Sequence, residues 1–336
     1  MTESISNGLG NAPYVMLVLY LGVLLVFGIL GYRKREADNE EDYYLAGRSQ
    51  GWIVSSLTIM ATFFSSFALL GAPGMVYRDG VVFALFSLNV PVAGVAIYLL
   101  GARIRRAGRE GGFLTPADMI AAHYQAPVSL RLLVALVGLL YAVPYVVMQI
   151  QAGGIVSQQL FGRDAFETGA CVLALITMLY IMVGGMRSVA WTDAVQGGLL
   201  VGGMLLAGIA AVWVLGGPAA FFRAVAELPP RSLSAPGTSG RWTPEVLFTA
   251  SLFASLGSMI QPAQWMRFYA ARSSQVLRRS ALIFAAVLTL CFFFGVMLVG
   301  LGGQVLYPLV DAVGNYSYDA AGRVLPHALV GQSAYE

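Results

Sequence analysis

Charged residues are scarce in this chain of 336 residues. Asp, Glu, Lys and Arg make up 11% of it and hydrophobic residues 58%, and the mean hydropathy is +0.73. A soluble domain carries about a quarter charged residues. The composition therefore excludes an ordinary soluble protein, and a net charge of only +3 gives no reason to expect nucleic-acid binding.

Cysteine and histidine are almost absent too. Cys171 and Cys291 lie inside apolar runs, and His123 and His327 stand alone. This set offers no disulfide framework and no Cys/His metal-ligand spacing, so both cysteines are expected to be buried thiols. Two isolated histidines also give little support for a Ser-His-Asp catalytic triad. We therefore expect no enzymatic activity and no organic cofactor.

The first apolar run is preceded by no basic residue and is followed by Arg33, Lys34 and Arg35. A cleavable signal peptide needs a basic start and a short apolar stretch. The pattern instead predicts a membrane anchor with its N-terminus outside.

Long hydrophobic runs are abundant. A helix needs about 20 apolar residues to cross the hydrocarbon core, and eight runs meet that length. They lie near 14–32, 52–77, 81–102, 130–156, 167–185, 194–216, 245–266 and 280–306.

The basic residues support this count. Fourteen of the twenty lie in or beside the joints 33–51, 103–129, 186–193 and 267–279. Cytoplasmic loops are enriched in Lys and Arg. These joints are therefore predicted to be cytoplasmic, and the N-terminus to be external.

Two of the runs are interrupted. The second has a small, polar centre at 61–66 followed by Gly71-Ala72-Pro73-Gly74, and the seventh contains Ser251, Ser255 and the pair Gln261-Pro262. Proline and glycine weaken a helix, and backbone groups freed in lipid must face protein or a wet cavity. Paired interrupted helices are a sequence pointer to a transporter's binding site.

Polar side chains also occur in the fourth run, which carries Tyr141, Tyr145 and Gln149. A glutamine at membrane depth must be hydrogen-bonded or wet. Gln149 is therefore either a substrate-cavity residue or an interhelical hydrogen-bonding residue, and both readings stay open.

One cytoplasmic joint contains Thr115, Pro116 and Asp118, which predict a short interfacial helix capped by Thr115 with Pro116 at its first position. The joint 184–197, GGMRSVAWTDAVQG, contains a second set of polar residues. It is predicted to be a helix–loop–helix connection capped by Thr192. The alternative is a cytoplasmic gate formed by an Arg187–Asp193 contact.

Four stretches together resemble the sodium:solute symporter family, which includes proline, pantothenate, monocarboxylate and sugar carriers. They are YYLAGR at 43–48, ATFFSSFALLGAPG at 61–74, TPADMIAAHY at 115–124 and the 184–197 joint, the most specific of the four. Gln261-Pro262 and Arg267-Phe268 resemble the proline-carrier branch.

The resemblance implies an all-α polytopic membrane protein with a LeuT-type inverted-repeat core. One extra helix at 14–32 would precede a first five-helix repeat at 52–216. A second, incomplete repeat would begin with two helices at 245–306, and 307–336 would be an external loop. The implied chain is truncated at its C-terminus and lacks the eighth core helix, which supplies hydroxyl ligands for sodium in the family.

The resemblance also implies sodium-coupled uptake of a small organic solute by alternating access in the bacterial inner membrane, with Na⁺ as the only bound metal. Proline carriers have an Asp where this chain has Phe63. A monocarboxylate is favoured as substrate, while amino acids, pantothenate, sugars and the oligomeric state are left open. The carried-over sodium site is Ala61, Phe64, Ser65 and Ser66, and the expected substrate cavity is Phe63, Tyr141, Tyr145, Gln149, Ser255 and Gln261.

The alternative is a symporter-like membrane sensor domain of a histidine kinase, which would continue into a soluble kinase region. An integral-membrane enzyme would need clusters of His or carboxylates near a membrane face, and the sequence offers none.

Overall fold

The computed structural model describes residues 10, 12–34, 39–125, 128–162 and 164–307, which form helices and one isolated backbone bridge between Gln50 and Ala271. The expected external segment 307–336 falls outside the described residues except for Tyr307. The helices are α1 (Ala12–Arg33), α2 (Glu40–Leu45), α3 (Trp52–Phe63), α4 (Phe67–Asp79), α5 (Val81–Glu110), α6 (Pro116–His123), α7 (Val128–Phe161), α8 (Ala165–Val214), α9 (Pro218–Ala226), α10 (Pro244–Ile260), α11 (Pro262–Ala270) and α12 (Ser274–Leu306).

The membrane-spanning helices agree with the predicted runs. Within the described residues, five helices are long and apolar enough to cross a membrane, and the number reaches seven when the broken pairs α3–α4 and α10–α11 each count as one span. The 50-residue α8 has a non-helical residue, Gly185, inside it. When the helical segments before and after Gly185 are counted as separate spans, the total is the eight that the sequence predicts.

The chain divides into two compact units, and neither coincides with a predicted repeat. The first unit contains Met1–Ser66, Ile97–Gly197 and Met259–Ala281, and the second contains Phe67–Ala96, Gly198–Ser258 and Leu282–Glu336. Each unit therefore takes segments from both halves of the sequence.

In the first unit, α1 lies against α8 through small residues. The Ser188 hydroxyl donates to the carbonyls of Phe27 at 3.0 Å and Gly28 at 3.2 Å. A side chain added at Gly31 would overlap the Ser188 side chain and backbone, because the two helices approach so closely there. Small residues and interhelical hydrogen bonds are the usual means by which helices associate in lipid.

Gly31→Ala is expected to lower the free energy of unfolding by about 1–3 kcal/mol, because the added methyl group overpacks this contact. Gly22→Ala on the same helix is the matched control, because an added carbon there has nothing within 4 Å, and it is expected to be neutral or slightly stabilising. Thermal unfolding of the two variants in detergent tests this, and equal melting temperatures would contradict the close packing.

The predicted loop at 186–193 is wrong, because these residues are helical. The interruption lies at Gly185, whose φ of +59° is easily reached only by glycine and whose Cα lies beside the Tyr43 carbonyl. The Tyr43 hydroxyl donates to the Met182 carbonyl at 3.2 Å. Thr192 is likewise not a helix cap, because its hydroxyl donates within the helix to Ser188 O at 3.1 Å.

The expectation that both cysteines are buried holds for Cys291 and is wrong for Cys171. Cys171 lies on a face of α8 whose neighbours at helical spacing, Leu175, Met178 and Met182, are also exposed. Lipid tails are as apolar as these side chains, so a hydrophobic run in a membrane protein does not imply burial within the protein.

In the second unit, α4 packs closely against the end of α12. A side chain added at Gly300 would strike Val76, and the Gln304 amide donates to the carbonyls of Val76 at 3.3 Å and Tyr77 at 2.5 Å. These bonds cap carbonyl groups in the last turn of α4, where Val76 O also accepts from Gly80 N at 2.9 Å.

Candidate functional site

The first helix interruption lies at Phe64–Ser66, inside the predicted polar centre. Helix α3 ends at Phe63, and Phe64 has extended backbone angles (φ −73°, ψ 98°). The last four carbonyls of a helix have no partner within it. The Ala61 carbonyl belongs to this set, and the Phe64 carbonyl lies just beyond the helix end; both residues are predicted sodium ligands.

Helix α7 supplies hydrogen bonds to the interrupted segment. The Tyr145 hydroxyl donates to Thr62 O at 3.1 Å, and the Gln149 side-chain oxygen accepts from Ser66 N at 2.9 Å. The Ser66 hydroxyl donates to Met148 O at 3.4 Å. In lipid, freed backbone groups need such partners, so α7 holds the break in its non-helical conformation.

A cavity of about 670 Å³ lies beside this break, entirely within the first unit. Four of the six predicted substrate-cavity residues line it: Tyr141, Tyr145, Gln149 and Gln261. Ala61 and Phe64 also line it. The remaining wall is mostly apolar and is formed by Thr62, Thr115, Pro116, Ala117, Val134, Ala135, Gly138, Leu139, Ala142, Val146, Pro262, Ala263 and Arg267.

Gln149 combines the two roles that the sequence left open. Its side-chain oxygen bonds the α3–α4 break, while its side chain also lines the cavity. Its Nε2 atom is buried and has no hydrogen-bond partner. A buried donor without a partner is costly.

The second interruption falls at the predicted pair Gln261-Pro262. Gln261 is extended (φ −62°, ψ 123°) and precedes α11, and Pro262 occupies the first position of that helix. The Gln261 carbonyl accepts from Gln264 N at 3.0 Å and Trp265 N at 3.3 Å. Proline fits this position because the first turn of a helix lacks partners for its N–H groups.

Arg267 is an almost buried basic residue at the cavity that the sequence analysis did not place there. It lies on α11 and lines the cavity, and its guanidinium pairs with Asp193 at 2.8 Å with both side chains almost buried. Nε donates to Thr58 O and Nη1 to Ala263 O, each at 3.1 Å. The sequence analysis placed Arg267 in a polar joint because its helix was expected to end at 266.

The two residues of the alternative Arg187–Asp193 gate each have another partner. Asp193 pairs with Arg267, and Arg187 pairs with Asp42 at 2.6 Å. Asp42 directly precedes the YYLAGR stretch, so the two stretches with the most specific family pattern lie against each other. Residues 187 and 193 are six positions apart on one helix and project from different faces.

Two predicted cavity residues lie elsewhere. Phe63 ends α3 but does not line the cavity. Ser255 belongs to the second unit, where its buried hydroxyl donates to Asn89 O at 2.9 Å and Ser251 O at 2.7 Å. These bonds give Ser255 a packing role.

The short helix α6 confirms the prediction made from Thr115, Pro116 and Asp118. The Thr115 hydroxyl accepts from Asp118 N at 3.3 Å, and Asp118 Oδ2 accepts from Thr115 N at 2.8 Å, which completes a capping box. This cap fixes Thr115, Pro116 and Ala117, which form one edge of the cavity. The sequence analysis did not connect this loop with the cavity.

Comparison with known proteins agrees with this architecture. Residues 43–329 match the model of the sodium:solute symporter family. The sodium/pantothenate symporter of Escherichia coli (strain K12) is 27% identical over 323 residues, covering 94% of this chain and 66% of that protein. The high-affinity proline transporter PutP of Bacillus subtilis (strain 168) is 29% identical over 289 residues, covering 84% of this chain and 59% of that protein.

A solved structure shares the fold. It is described as the substrate-bound outward-open state of a Na⁺-coupled sialic acid symporter, and it matches with a TM-score of 0.77 at 21% identity. The match covers 94% of this chain and 64% of that chain. The fold is thus the all-α LeuT type, and the chain spans about two thirds or less of the length of these relatives.

Proposed function

Because the chain belongs to the sodium:solute symporter family, we propose that it carries out sodium-coupled uptake of a small organic solute by alternating access. The supporting observation is the interrupted span α3–α4, in which Ala61 and Phe64 line a cavity of about 670 Å³. Unwound backbone at membrane depth is how transporters of this kind coordinate their coupling ion. The activity is transport and requires no organic cofactor.

The proposed sodium site consists of the Ala61 and Phe64 carbonyls with the hydroxyl groups of Ser65 and Ser66. Oxygen donors suit a hard cation such as Na⁺. The Ser66 hydroxyl uses its proton to bond Met148 O, which leaves its oxygen lone pairs for the cation. The remaining ligands would come from the family's eighth core helix, which lies beyond the residues of this chain.

The proposed solute is a small monocarboxylate with an apolar body. Most of the cavity wall is apolar, and the polar residues are few: Thr62, Thr115, Tyr141, Tyr145, Gln149, Gln261 and Arg267. Such a pocket orients a solute through a small number of polar contacts. The descriptions of the three relatives name pantothenate, proline and sialic acid. Each of these compounds carries one carboxylate group.

A cytoplasmic gate is proposed at the Arg267–Asp193 pair instead of the Arg187–Asp193 pair. The ion pair joins α11 to α8 at the cavity wall. Opening this pair would expose the Arg267 guanidinium and the Asp193 carboxylate to the cavity. Water, sodium or the solute would then replace each group's lost partner. Phe63, Thr192 and Ser255 have no direct part in this proposal.

The proposed location is the bacterial cytoplasmic membrane, with the N-terminus outside. The support for this orientation is the excess of Arg and Lys in the joints 33–51, 103–129 and 267–279. The repeats at 52–216 and from 245 onward remain part of the same proposal. Nothing in the comparisons favours the membrane-sensor alternative.

Sodium coupling is energetically sufficient for such uptake. Moving one charge through about 100 mV releases about 2.3 kcal/mol, and a tenfold sodium gradient adds about 1.4 kcal/mol. One sodium ion per neutral or zwitterionic solute would therefore support roughly a few-hundred-fold accumulation. One sodium ion carried with a monocarboxylate anion moves no net charge, so the gradient alone would support about tenfold accumulation.

Uptake into proteoliposomes tests the proposal. The protein expressed from its complete reading frame is given radiolabelled proline, pantothenate, short monocarboxylates and sialic acid. An inward sodium gradient is expected to drive accumulation of at least one of them, and an equal potassium gradient is not. Equal uptake in both gradients, above that of empty liposomes, would contradict sodium coupling.

Replacing Ser65 or Ser66 by Ala in the same assay is expected to raise the sodium concentration for half-maximal uptake about tenfold or more, because each change removes one cation ligand at a cost above about 1.4 kcal/mol. Ser234→Ala is the control, because the Ser234 hydroxyl bonds only the local Pro230 carbonyl in a separate loop. Unchanged sodium activation in both variants would remove these serines from the site.

A further inference from the structure

Helix α5 changes from an apolar to a basic surface at Gly101. The exposed side chains just before this residue are Tyr98, Leu99 and Leu100. The exposed side chains after it are Arg103, Arg106, Arg109 and Glu110. Tyrosine and arginine side chains at such a boundary lie where the hydrocarbon core meets the phospholipid headgroups. The helix therefore leaves the hydrocarbon core close to Gly101.

The start of α12 brings further arginines to the same depth. The Arg278 guanidinium lies over the Tyr98 ring, 5.7 Å from its centroid, and Arg278 and Arg279 are both exposed. A side chain added at Gly101 would come within 3.0 Å of the Leu277 side chain. The basic ends of α5 and α12 thus lie side by side, with both ends inside the first unit.

Buried Arg105 holds this arrangement in place. Its Nε donates to Ala271 O at 2.6 Å and its Nη2 to Arg272 O at 2.5 Å. These two bonds fix the chain just before α12 against the end of α5. Because carbonyl groups carry no net charge, they satisfy the N–H groups of Arg105 without neutralising its positive charge.

The basic surface has almost no acidic residues of its own. Segments 102–110 and 271–281 together contain seven arginines and one carboxylate, Glu110. Among the residues that the structure describes, no carboxylate forms an ion pair with these arginines. A guanidinium group suits phosphate because it can donate two parallel hydrogen bonds. The chemistry that complements this surface is a phosphate group attached to an apolar chain.

We propose that the exposed ends of α5 and α12 form a binding site for an anionic phospholipid. Arg103, Arg106, Arg278 and Arg279 bind the headgroup, and an acyl chain lies along Leu99. Basic surfaces between membrane helices bind such headgroups, whereas a zwitterionic headgroup would leave the excess positive charge unbalanced. None of these residues lines the cavity at the α3–α4 break, so the lipid site is separate from it.

Lipid titration of the purified protein tests this site without transport, so its result does not depend on the proposed function. Protein from the complete reading frame is titrated in detergent with phosphatidylglycerol and with phosphatidylcholine, and native mass spectrometry counts the bound lipids. Phosphatidylglycerol is expected to bind about tenfold more tightly or better. The double variants Arg103→Gln/Arg106→Gln and Arg278→Gln/Arg279→Gln are each expected to weaken its binding about tenfold or more, because two cationic contacts are lost.

Arg223→Gln/Arg231→Gln is the matched control. These two arginines are also exposed, but they lie on α9 and just after it, and the variant removes the same amount of charge. It is expected to bind phosphatidylglycerol as the parent protein does. Equal affinity of the parent for the two lipids would overturn the proposal, and so would equal weakening in the control and in the site variants.

Crosslinking distinguishes a bound lipid from a soluble phosphate ester. A phosphatidylglycerol with a photoreactive group in its acyl chain is expected to label the segment 97–102, and the label is expected to be lost in Arg103→Gln/Arg106→Gln. Glycerol phosphate, which has no acyl chain, is expected to leave this labelling unchanged even in large excess. Displacement by glycerol phosphate would contradict a lipid site, as would labelling spread evenly over the exposed apolar helices.

Discussion

Replacing Asp193 by Ala is expected to lower the free energy of unfolding by about 3–5 kcal/mol. In this ion pair, Arg267 Nη2 lies 2.8 Å from Asp193 Oδ2, and both side chains are almost buried. Removing the carboxylate leaves the guanidinium in a low-dielectric environment with only the carbonyls of Thr58 and Ala263 as partners. Chemical or thermal unfolding in detergent measures the loss, and uptake is expected to fall with it.

Two comparisons show whether the burial of the pair causes this effect. Glu41→Ala removes the partner of Arg48 at 3.1 Å; Arg48 is buried but Glu41 is 47% exposed, so water can replace the lost carboxylate and the expected cost is smaller than that of Asp193→Ala. The double variant Asp193→Leu with Arg267→Met is expected to recover most of the stability, because apolar replacement of a buried pair is often neutral. Equal costs for Asp193→Ala and Glu41→Ala would contradict the account.

Gln149→Leu is expected to raise the solute concentration for half-maximal uptake about tenfold to a hundredfold. The substitution removes the acceptor for Ser66 N and the buried, unpaired Nε2 donor of a residue that lines the cavity. Leaving a buried group unsatisfied costs about 1–3 kcal/mol, which corresponds to that range. Uptake kinetics measure the change in the half-maximal solute concentration. Thermal unfolding measures the stability lost with the hydrogen bond to Ser66 N.

Gln149→Glu separates these two roles. A glutamate keeps an acceptor for Ser66 N but replaces the donor with a second oxygen. The melting temperature is expected to stay close to that of the parent, while affinity for a carboxylate solute falls because two negative charges repel. Unchanged affinity in both variants would limit Gln149 to holding the helix break.

The two helix breaks and the cap of α6 could be predicted because their causes are local. Pro262 cannot donate to a preceding turn, and the small polar residues at 61–66 do not support a continuous apolar helix. Thr115 and Asp118 carry their capping partners three residues apart. Each of these features depends on neighbours within one or two helical turns.

Features that depend on distant partners were predicted less well. Arg267 could not be paired with Asp193 from the sequence, because the two are 74 positions apart and lie on different helices. The interruption at Gly185 was predicted as a loop at 186–193, and its close contact with Tyr43, 142 positions earlier, could not be seen in the sequence. Ser255 was assigned to the cavity from its position in an interrupted span, but Asn89 O binds it in the second unit.

Sodium-dependent stability of the purified protein tests the central claim most directly, because it needs no knowledge of the solute. Melting is measured in sodium chloride and in potassium chloride at equal ionic strength, with protein expressed from the complete reading frame. If sodium binds at the α3–α4 break, a concentration one hundred times its Kd stabilises the fold by about 2.7 kcal/mol, and Ser65→Ala reduces that gain. Identical melting in the two salts would contradict a sodium site at this break.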